Sequence, residues 1–81
     1  MTVKDRLRQW IRVHFDIGDD PDYTDSADIF DLGFVDSFGA VEIIDHIETT
    51  YKIEITQRDI IVNGMKTLDE ITAVVDAKLA G

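Results

Sequence analysis

Apolar residues recur every three or four positions in three separate stretches of the chain, which is the spacing of helices that bury one side. These stretches cover residues 3–15, 38–51 and 68–79. A shorter apolar group at residues 60–62 is followed by Asn63-Gly64, a pair that commonly ends helices. The pattern therefore predicts an all-α fold, a four-helix bundle in which three helices are longer and the third is short.

Residues that cap helices support the same division of the chain. Each apolar stretch follows a residue whose side chain can cap a helix: Thr2, Asp36, Thr56 and Thr67. Glu70 completes a full capping box with Thr67, and Asp5 completes a weaker variant with Thr2. The first helix is expected to end near residues 16–18, and the β-branched stretch 52–55 is interpreted as a connector. The inward residues are expected to include Ile43, Ile47, Tyr51, Ile60, Ile71, Val75 and Leu79.

The segment from Ile17 to Asp36 is predicted to be one long loop, because it is rich in turn-forming residues and has only scattered apolar anchors, Ile29 and Phe30. Loops of this length are unusual in compact domains and are often functional. The many aspartates suggest a calcium loop, but Pro21 intrudes and Asp25 stands where an EF-hand requires glycine. The spacing thus argues against an EF-hand, while an ion-binding protein with weaker surface sites stays open as an alternative.

The composition excludes several classes of protein. A chain of 81 residues makes a single domain, residues 1–81, and the absence of cysteine excludes disulfides and thiolate metal sites. It also means that no side chain can hold a thioester. No apolar run approaches the roughly 18 residues of a membrane span, and the start lacks a signal-peptide pattern. We therefore expect a cytoplasmic monomer.

The charge of the chain indicates what it binds. The formal net charge is −9, and no lysine or arginine occurs between Arg12 and Lys52. Such a surface repels nucleic acids and anionic membranes and attracts basic partners. His14, expected on the inward or boundary side of its helix, and His46, at the rim of the core, lack a third ligand, so no metal site is expected. Trp10 is interpreted as a core aromatic. No nucleophile with a positioned base is evident, so the chain is not expected to be an enzyme.

One serine has a position that suits a covalently bound phosphate. Ser37 follows the capping residue Asp36 and lies in the first turn of the second helix. The first amides of a helix lack partners and carry positive partial charge, so a phosphate ester on this serine would be stabilised. Gly33 permits a sharp turn into the helix, and Gly39 is expected to keep the surface beside Ser37 uncrowded. An Asp-Ser pair alone also opens many helices that carry no function.

The neighbouring residues make this pair more specific. The run Asp31-Leu32-Gly33-Phe34-Val35-Asp36-Ser37-Phe38-Gly39-Ala40-Val41-Glu42-Ile43-Ile44 closely resembles the phosphopantetheine attachment site of acyl and peptidyl carrier proteins. In that family a Leu-Gly turn precedes Asp-Ser-Leu or Asp-Ser-Met, and a hydrophobic, acidic helix follows. The resemblance continues through residues 51–55 to the last helix, so it covers nearly the whole chain in length, helix order and loop placement.

The resemblance implies roles for individual residues. Ser37 would receive 4′-phosphopantetheine from coenzyme A through a separate phosphopantetheinyl transferase that uses magnesium, and Asp36 would help to hold that metal. The thiol of the arm would carry an acyl or aminoacyl group as a thioester, which supplies the thiol that the chain itself lacks. A docking face would meet basic patches on ligases, synthases or transferases. It would be formed by Phe38, Val41, Glu42, Asp45 and Glu48.

Two departures from the common pattern concern the cargo. Fatty-acid carriers usually place one residue between the glycine and Asp-Ser, whereas this chain places two, and Phe38-Gly39 replaces the usual leucine and polar residue. Both features are more similar to D-alanyl carriers and to some stand-alone aminoacyl carriers. We expect a stand-alone carrier, with fatty-acyl and amino-acid cargo both open. The alternative is a small acidic helical adaptor that receives no arm and binds basic partners through the second helix.

Overall fold

The computed structural model describes all 81 residues and contains four α-helices and no strand. The helices are α1 (Val3–His14), α2 (Ser37–Tyr51), α3 (Gln57–Asn63) and α4 (Leu68–Ala80). The all-α class, the order of the helices, the short third helix and the connector at residues 52–55 are confirmed. None of the four helices combines the length and the apolar character needed to cross a bilayer.

Each helix begins at the capping residue identified in the sequence. The Asp5 amide donates to the Thr2 hydroxyl at 3.1 Å, and the Thr2 amide donates to the Asp5 carboxylate at 3.2 Å, so the weaker capping box forms in full. The same reciprocal bonds begin α3 and α4, between Thr56 and Asp59 and between Thr67 and Glu70. An N-cap contributes about 1 kcal/mol. This matters most for α3, whose seven residues are too few to form a stable helix alone.

The first helix ends earlier than predicted, at His14 rather than near residues 16–18. The backbone of Asp16 has a φ of 54°, in the left-handed region, and this conformation cannot continue a right-handed helix. The Arg12 guanidinium donates to the carbonyl of Gly18 and so closes the turn that follows. Lys52, with a φ of 55°, ends α2 in the same way.

The core is arranged around α4, against which the other three helices pack. The buried apolar residues are Leu7, Ile11, Tyr23, Ile29, Val35, Ile43, Ile47, Leu68, Ile71, Val74 and Val75. Of the residues expected inside, Tyr51 and Ile60 are only half-buried. The prediction for Leu79 is wrong, because this side chain is 49% exposed. It lies in the last turn of α4, past Val75, where the buried part of the helix ends.

The long loop between α1 and α2 contains no helix or strand, as predicted, but it is anchored more firmly than its sequence suggests. Ile29 is buried as expected, and Tyr23 and Val35 are buried as well. The Tyr23 hydroxyl donates to the carbonyl of Arg8 at 2.9 Å. The Arg8 guanidinium in turn donates two bonds of 2.9 Å to the carboxylate of Asp25. These contacts hold the first half of the loop against α1.

Backbone bonds hold the middle of the loop against the start of α4 and the residues just before it. The Ile29 amide donates to the carbonyl of Lys66 at 3.0 Å, and the Asp69 amide donates to the carbonyl of Asp25 at 3.0 Å. Within the loop, the Val35 amide donates to the carbonyl of Ile29 at 3.1 Å. The chain therefore reaches the start of α2 along a path that is fixed on two sides.

Candidate functional site

The start of α2 is built by Asp36. Its backbone is extended, with φ of −109° and ψ of −170°, and its carboxylate accepts a bond of 2.9 Å from the amide of Gly39. Its carbonyl accepts from the Ala40 amide at 3.0 Å. The prediction that Asp36 caps this helix is confirmed. Because only Oδ1 takes part in the cap, Oδ2 has no hydrogen-bond partner within the chain.

Ser37 is the first residue of α2, and its side chain is exposed. No hydrogen bond within the chain engages its hydroxyl, and the Ser37 and Phe38 amides lie at the open end of the helix without an internal acceptor. An anionic phosphodiester on the serine oxygen would therefore lie beside free amides at the positive end of the helix dipole. The residues present fit a phosphate-linked group at this position.

Two glycines shape the approach to Ser37, one as predicted and one not. Gly33 has a φ of 85°, a left-handed conformation that suits the sharp turn before the helix. Gly39 does not clear the surface, as the sequence suggested, but is buried. A Cβ at this position would lie 2.7 Å from side-chain carbons of both Phe15 and Val35. Gly39 instead allows the first turn of α2 to approach the end of α1 closely.

The five residues of the docking face differ in exposure. Phe38 and Val41 are 82% and 66% exposed. Glu42 and Asp45 are also exposed. Glu48 is half-buried, and its Oε2 accepts from the amide of Ile55 at 2.9 Å, so it holds the connector after α2.

The structure brings together three aromatic residues that the sequence analysis treated separately. The indole of Trp10 stacks on the imidazole of His14, with ring centres 4.4 Å apart, and on that of His46, with ring centres 3.9 Å apart. We call these residues the histidine–tryptophan stack. His46 is half-buried at the rim of the core as expected, but His14 is exposed rather than inward or at the boundary, and Trp10 is only half-buried.

The polar atoms of the two imidazoles have partners on α2. The Nε2 atom of His14 lies 2.7 Å from Oε2 of Glu42, and the Nδ1 atom of His46 lies 3.3 Å from the hydroxyl of Thr50. Burial, and then the proximity of His14, lower the pKa of His46 below its usual value of 6.5. The i to i+4 spacing of Trp10 and His14 could have indicated half of this stack, but nothing in the sequence indicates His46.

The acidic residues of the long loop do not converge on a common centre. Oδ1 of Asp28 accepts from the amides of Phe30 and Asp31, and that of Asp20 accepts from the amide of Asp22, so these carboxylates stabilise local turns. No group of three or more His, Asp or Glu side chains is arranged to hold a metal ion.

A small, partly open apolar cavity of about 20 Å³ lies between α2 and α4. Its walls are formed by Phe30, Ala40, Ile43, Ile44, Met65 and Ile71. This volume is comparable to that of a single water molecule. The cavity adjoins an open apolar groove of about 320 Å³ between α2 and α3, which shares Phe30, Ala40, Ile44 and Met65 with it. The space inside the core is thus too small for an acyl chain, and the larger apolar space lies open at the surface.

Comparison with known proteins identifies the family of this sequence. The sequence matches the family described as "Phosphopantetheine attachment site" over residues 2–75, which is nearly the whole chain. No match was found among curated proteins or among solved structures. Domains of this family are non-catalytic and are the site of covalent 4′-phosphopantetheine attachment. The chain therefore belongs to the phosphopantetheine-attachment family of acyl and peptidyl carrier domains.

Proposed function

We propose that Ser37 is the attachment residue and that residues 1–81 act as a single carrier domain, which presents acyl or aminoacyl thioesters to partner enzymes. The observation that carries this proposal is the exposed, unpartnered hydroxyl of Ser37 at the first position of α2, directly after the cap of Asp36. When bound, the arm supplies a terminal thiol on which the cargo is held.

The other serine of the chain lacks these features. Ser26 is exposed, but it lies in a turn of the long loop, away from the start of any helix. No helix dipole or row of free amides is available there to stabilise a phosphate. Ser26 is therefore a natural control for Ser37, because it is the same residue type with similar exposure.

Asp36 has two roles in this proposal. Its Oδ1 caps α2, and its Oδ2, which has no partner within the chain, is free to help hold the magnesium ion of the transferase reaction. A carboxylate is a hard oxygen ligand of the type that magnesium prefers. Asp36 and Ser37 are adjacent at the exposed start of α2, so one transferase could contact both residues.

The docking face also belongs to the proposal. Phe38 and Val41 are exposed apolar side chains on the helix that begins with Ser37, and Glu42 and Asp45 place negative charge on the same helix. This combination fits a partner enzyme that has an apolar contact surrounded by lysine or arginine. Glu48 is expected to contribute less, because its carboxylate already accepts from the amide of Ile55.

The apolar cavity and the donor of the arm indicate what the carrier holds and where it acts. The cavity between α2 and α4 holds only about 20 Å³, which favours a small cargo such as an amino acid or a short acyl group, whereas a longer acyl chain would lie in the open apolar groove beside it. We place the monomeric carrier in the cytoplasm, where coenzyme A, the donor of the arm, is available. Cell fractionation tests the location, and size-exclusion chromatography tests the oligomeric state.

The attachment is tested by intact mass spectrometry after incubation with coenzyme A, magnesium and a broad-specificity phosphopantetheinyl transferase. The parent and the control Ser26→Ala are expected to gain the mass of one phosphopantetheine, and Ser37→Ala is expected to gain none. If the folded parent gains no mass, the proposed carrier role of Ser37 fails. The acidic helical adaptor then becomes the better account of the chain.

A further inference from the structure

His14 holds one of the two exposed acids of the docking face. Its Nε2 lies 2.7 Å from Oε2 of Glu42, and both side chains are partly open to solvent, at 37% and 52% exposure. The imidazole is fixed in this position because its ring stacks on Trp10 from the previous turn of α1. His46, on α2, stacks on the same indole. Side chains from α1 and α2 thus form one stack of three rings, and the His14 ring of this stack contacts the carboxylate of Glu42.

We propose that the docking face extends across to α1, and that His14 there competes with a basic partner residue for Glu42 in a proton-dependent way. This inference rests on the proposed docking function of α2. Protonated His14 forms an ion pair with Glu42 and removes one negative charge from the face. Neutral His14 leaves that charge for a lysine or arginine of the partner.

The groups around the His14 imidazole are acidic or neutral, so protonation of this ring decides whether Glu42 has a cationic partner within the chain. Histidine is the side chain whose ordinary titration falls between about pH 5 and 8. The titratable groups around His14 are Glu42, Asp45 and His46, all on α2, and they line the same open groove with Trp10. The nearest basic residue on α1, Arg12, is directed away, since it donates to the carbonyl of Gly18 and lies over the ring of Tyr23.

The stack also favours a single added proton over two. A cation on His14 has both the carboxylate of Glu42 and the face of Trp10 beside it. A second cation on His46 would be repelled by the first, and Asp45 offsets this repulsion only in part. Because burial and the proximity of His14 lower the pKa of His46, His46 is the matched control on the other imidazole of the stack.

The first experiment uses the unmodified chain and does not depend on Ser37. Trp10 is the only tryptophan, and an imidazolium stacked on an indole quenches its fluorescence. Emission is expected to fall as the pH is lowered from about 8 to 5. His14→Gln is expected to remove more of this fall than His46→Gln does, and Glu42→Gln is expected to diminish it. Coincident profiles for the parent and His14→Gln would overturn the proposal.

The second experiment measures docking directly. The KM of the transferase for the parent is compared with its KM for His14→Gln at pH 6 and at pH 8, so that the pH dependence of the transferase itself cancels. The parent is expected to have a KM about 1.5- to 5-fold higher than the variant at pH 6 and an equal KM at pH 8, the range typical of one exposed ion pair. In a Glu42→Gln background, His14→Gln is expected to have no effect at either pH.

The outcomes separate the two proposals. If the ratio of the parent's KM to that of His14→Gln is the same at pH 6 and pH 8 and the arm attaches normally, the proton-dependent competition is refuted and the carrier function stays intact. Absence of any attachment refutes the proposed function of Ser37, and the fluorescence profiles then decide alone whether His14 responds through Glu42. Loss of helicity in a variant would be detected by circular dichroism, and Glu42→Ala then replaces Glu42→Gln as the test of the same contact.

Discussion

Asp36 combines a structural and a chemical role that two substitutions at one position can separate. Its Oδ1 caps α2 through the amide of Gly39, and we propose that its charge helps to hold the magnesium ion when Ser37 is modified. Asparagine can form the same cap but carries no charge, whereas alanine can do neither. Asp36→Asn and Asp36→Ala therefore form a matched pair.

The expected effects on stability follow from the cap. Loss of an N-cap side chain costs about 0.5–2 kcal/mol, so Asp36→Ala should lower the free energy of unfolding by about 1 kcal/mol. For a domain of this size, that corresponds to a fall in Tm of roughly 4–8 °C. Asp36→Asn keeps the bond to Gly39 and loses only the attraction between the charge and the helix dipole, about 0.3–1 kcal/mol.

The expected effects on the rate of modification are larger than those on stability, and they are similar for the two variants. An interaction with a charged group is worth about 1.5–3 kcal/mol, so both variants should accept the arm about tenfold more slowly or worse. The assay is the initial rate of mass gain at a carrier concentration below the KM, with thermal melts of the same samples. If Asp36→Asn is modified at the parental rate, Asp36 only caps the helix and its proposed role toward the metal is wrong.

Three further predictions concern the scaffold. Gly39→Ala should lower the Tm although alanine favours helices by up to about 1 kcal/mol, because its Cβ would meet Phe15 and Val35 at 2.7 Å. In urea unfolding, Gly39→Ala combined with Val35→Ala should lose less stability than the sum of the two single losses. Tyr23→Phe should cost about 1 kcal/mol at neutral pH. Burial raises the pKa of Tyr23 to about 12, so the parent, unlike this variant, should lose stability as the pH rises from 10 through about 12 in alkaline melts. The bond from the Thr56 amide, with help from Lys78, lowers the pKa of Asp59 to about 2. Its stabilisation should be present above pH 3.8 and lost as the pH falls through about 2, and acid melts of Asp59→Asn should lack this loss.

The elements that depend on neighbouring residues could be predicted from the sequence. The bonds between Thr2 and Asp5 join residues three apart, so the pattern that predicts them also contains both partners. The same holds for the cap that Asp36 provides to Gly39, and thus for the position of Ser37 at the first residue of α2. The candidate attachment residue was predictable because it is defined by local chain geometry.

The features that depend on distant residues were not predictable. From the sequence, Gly39 was expected only to leave the surface beside Ser37 uncrowded. The structure gives a different reason for the glycine, namely the side chain of Phe15, which lies 24 positions earlier in the chain. The burial of Val35 in the core and the stack of His46 on Trp10 likewise depend on residues that are distant in the sequence. Apolar periodicity shows which side of a helix is buried, but it does not identify the residue that packs against it.

The distribution of ion pairs explains why a strongly acidic chain could present one particular face to partners. Its lysine and arginine ion pairs lie on α1, α3, α4 and the loop, where Lys4 pairs with Asp69, Arg8 with Asp5 and Asp25, and Lys78 with Asp59. On α2, which carries no lysine or arginine, the one acid held in an ion pair is Glu42, and its partner is His14. Among the four helices, the one that begins with Ser37 thus carries the largest net negative charge, and the loop before it adds further unpaired aspartates. Because that remaining partner is a histidine, the charge offered by α2 depends on pH in a way that a lysine at the same position would not allow.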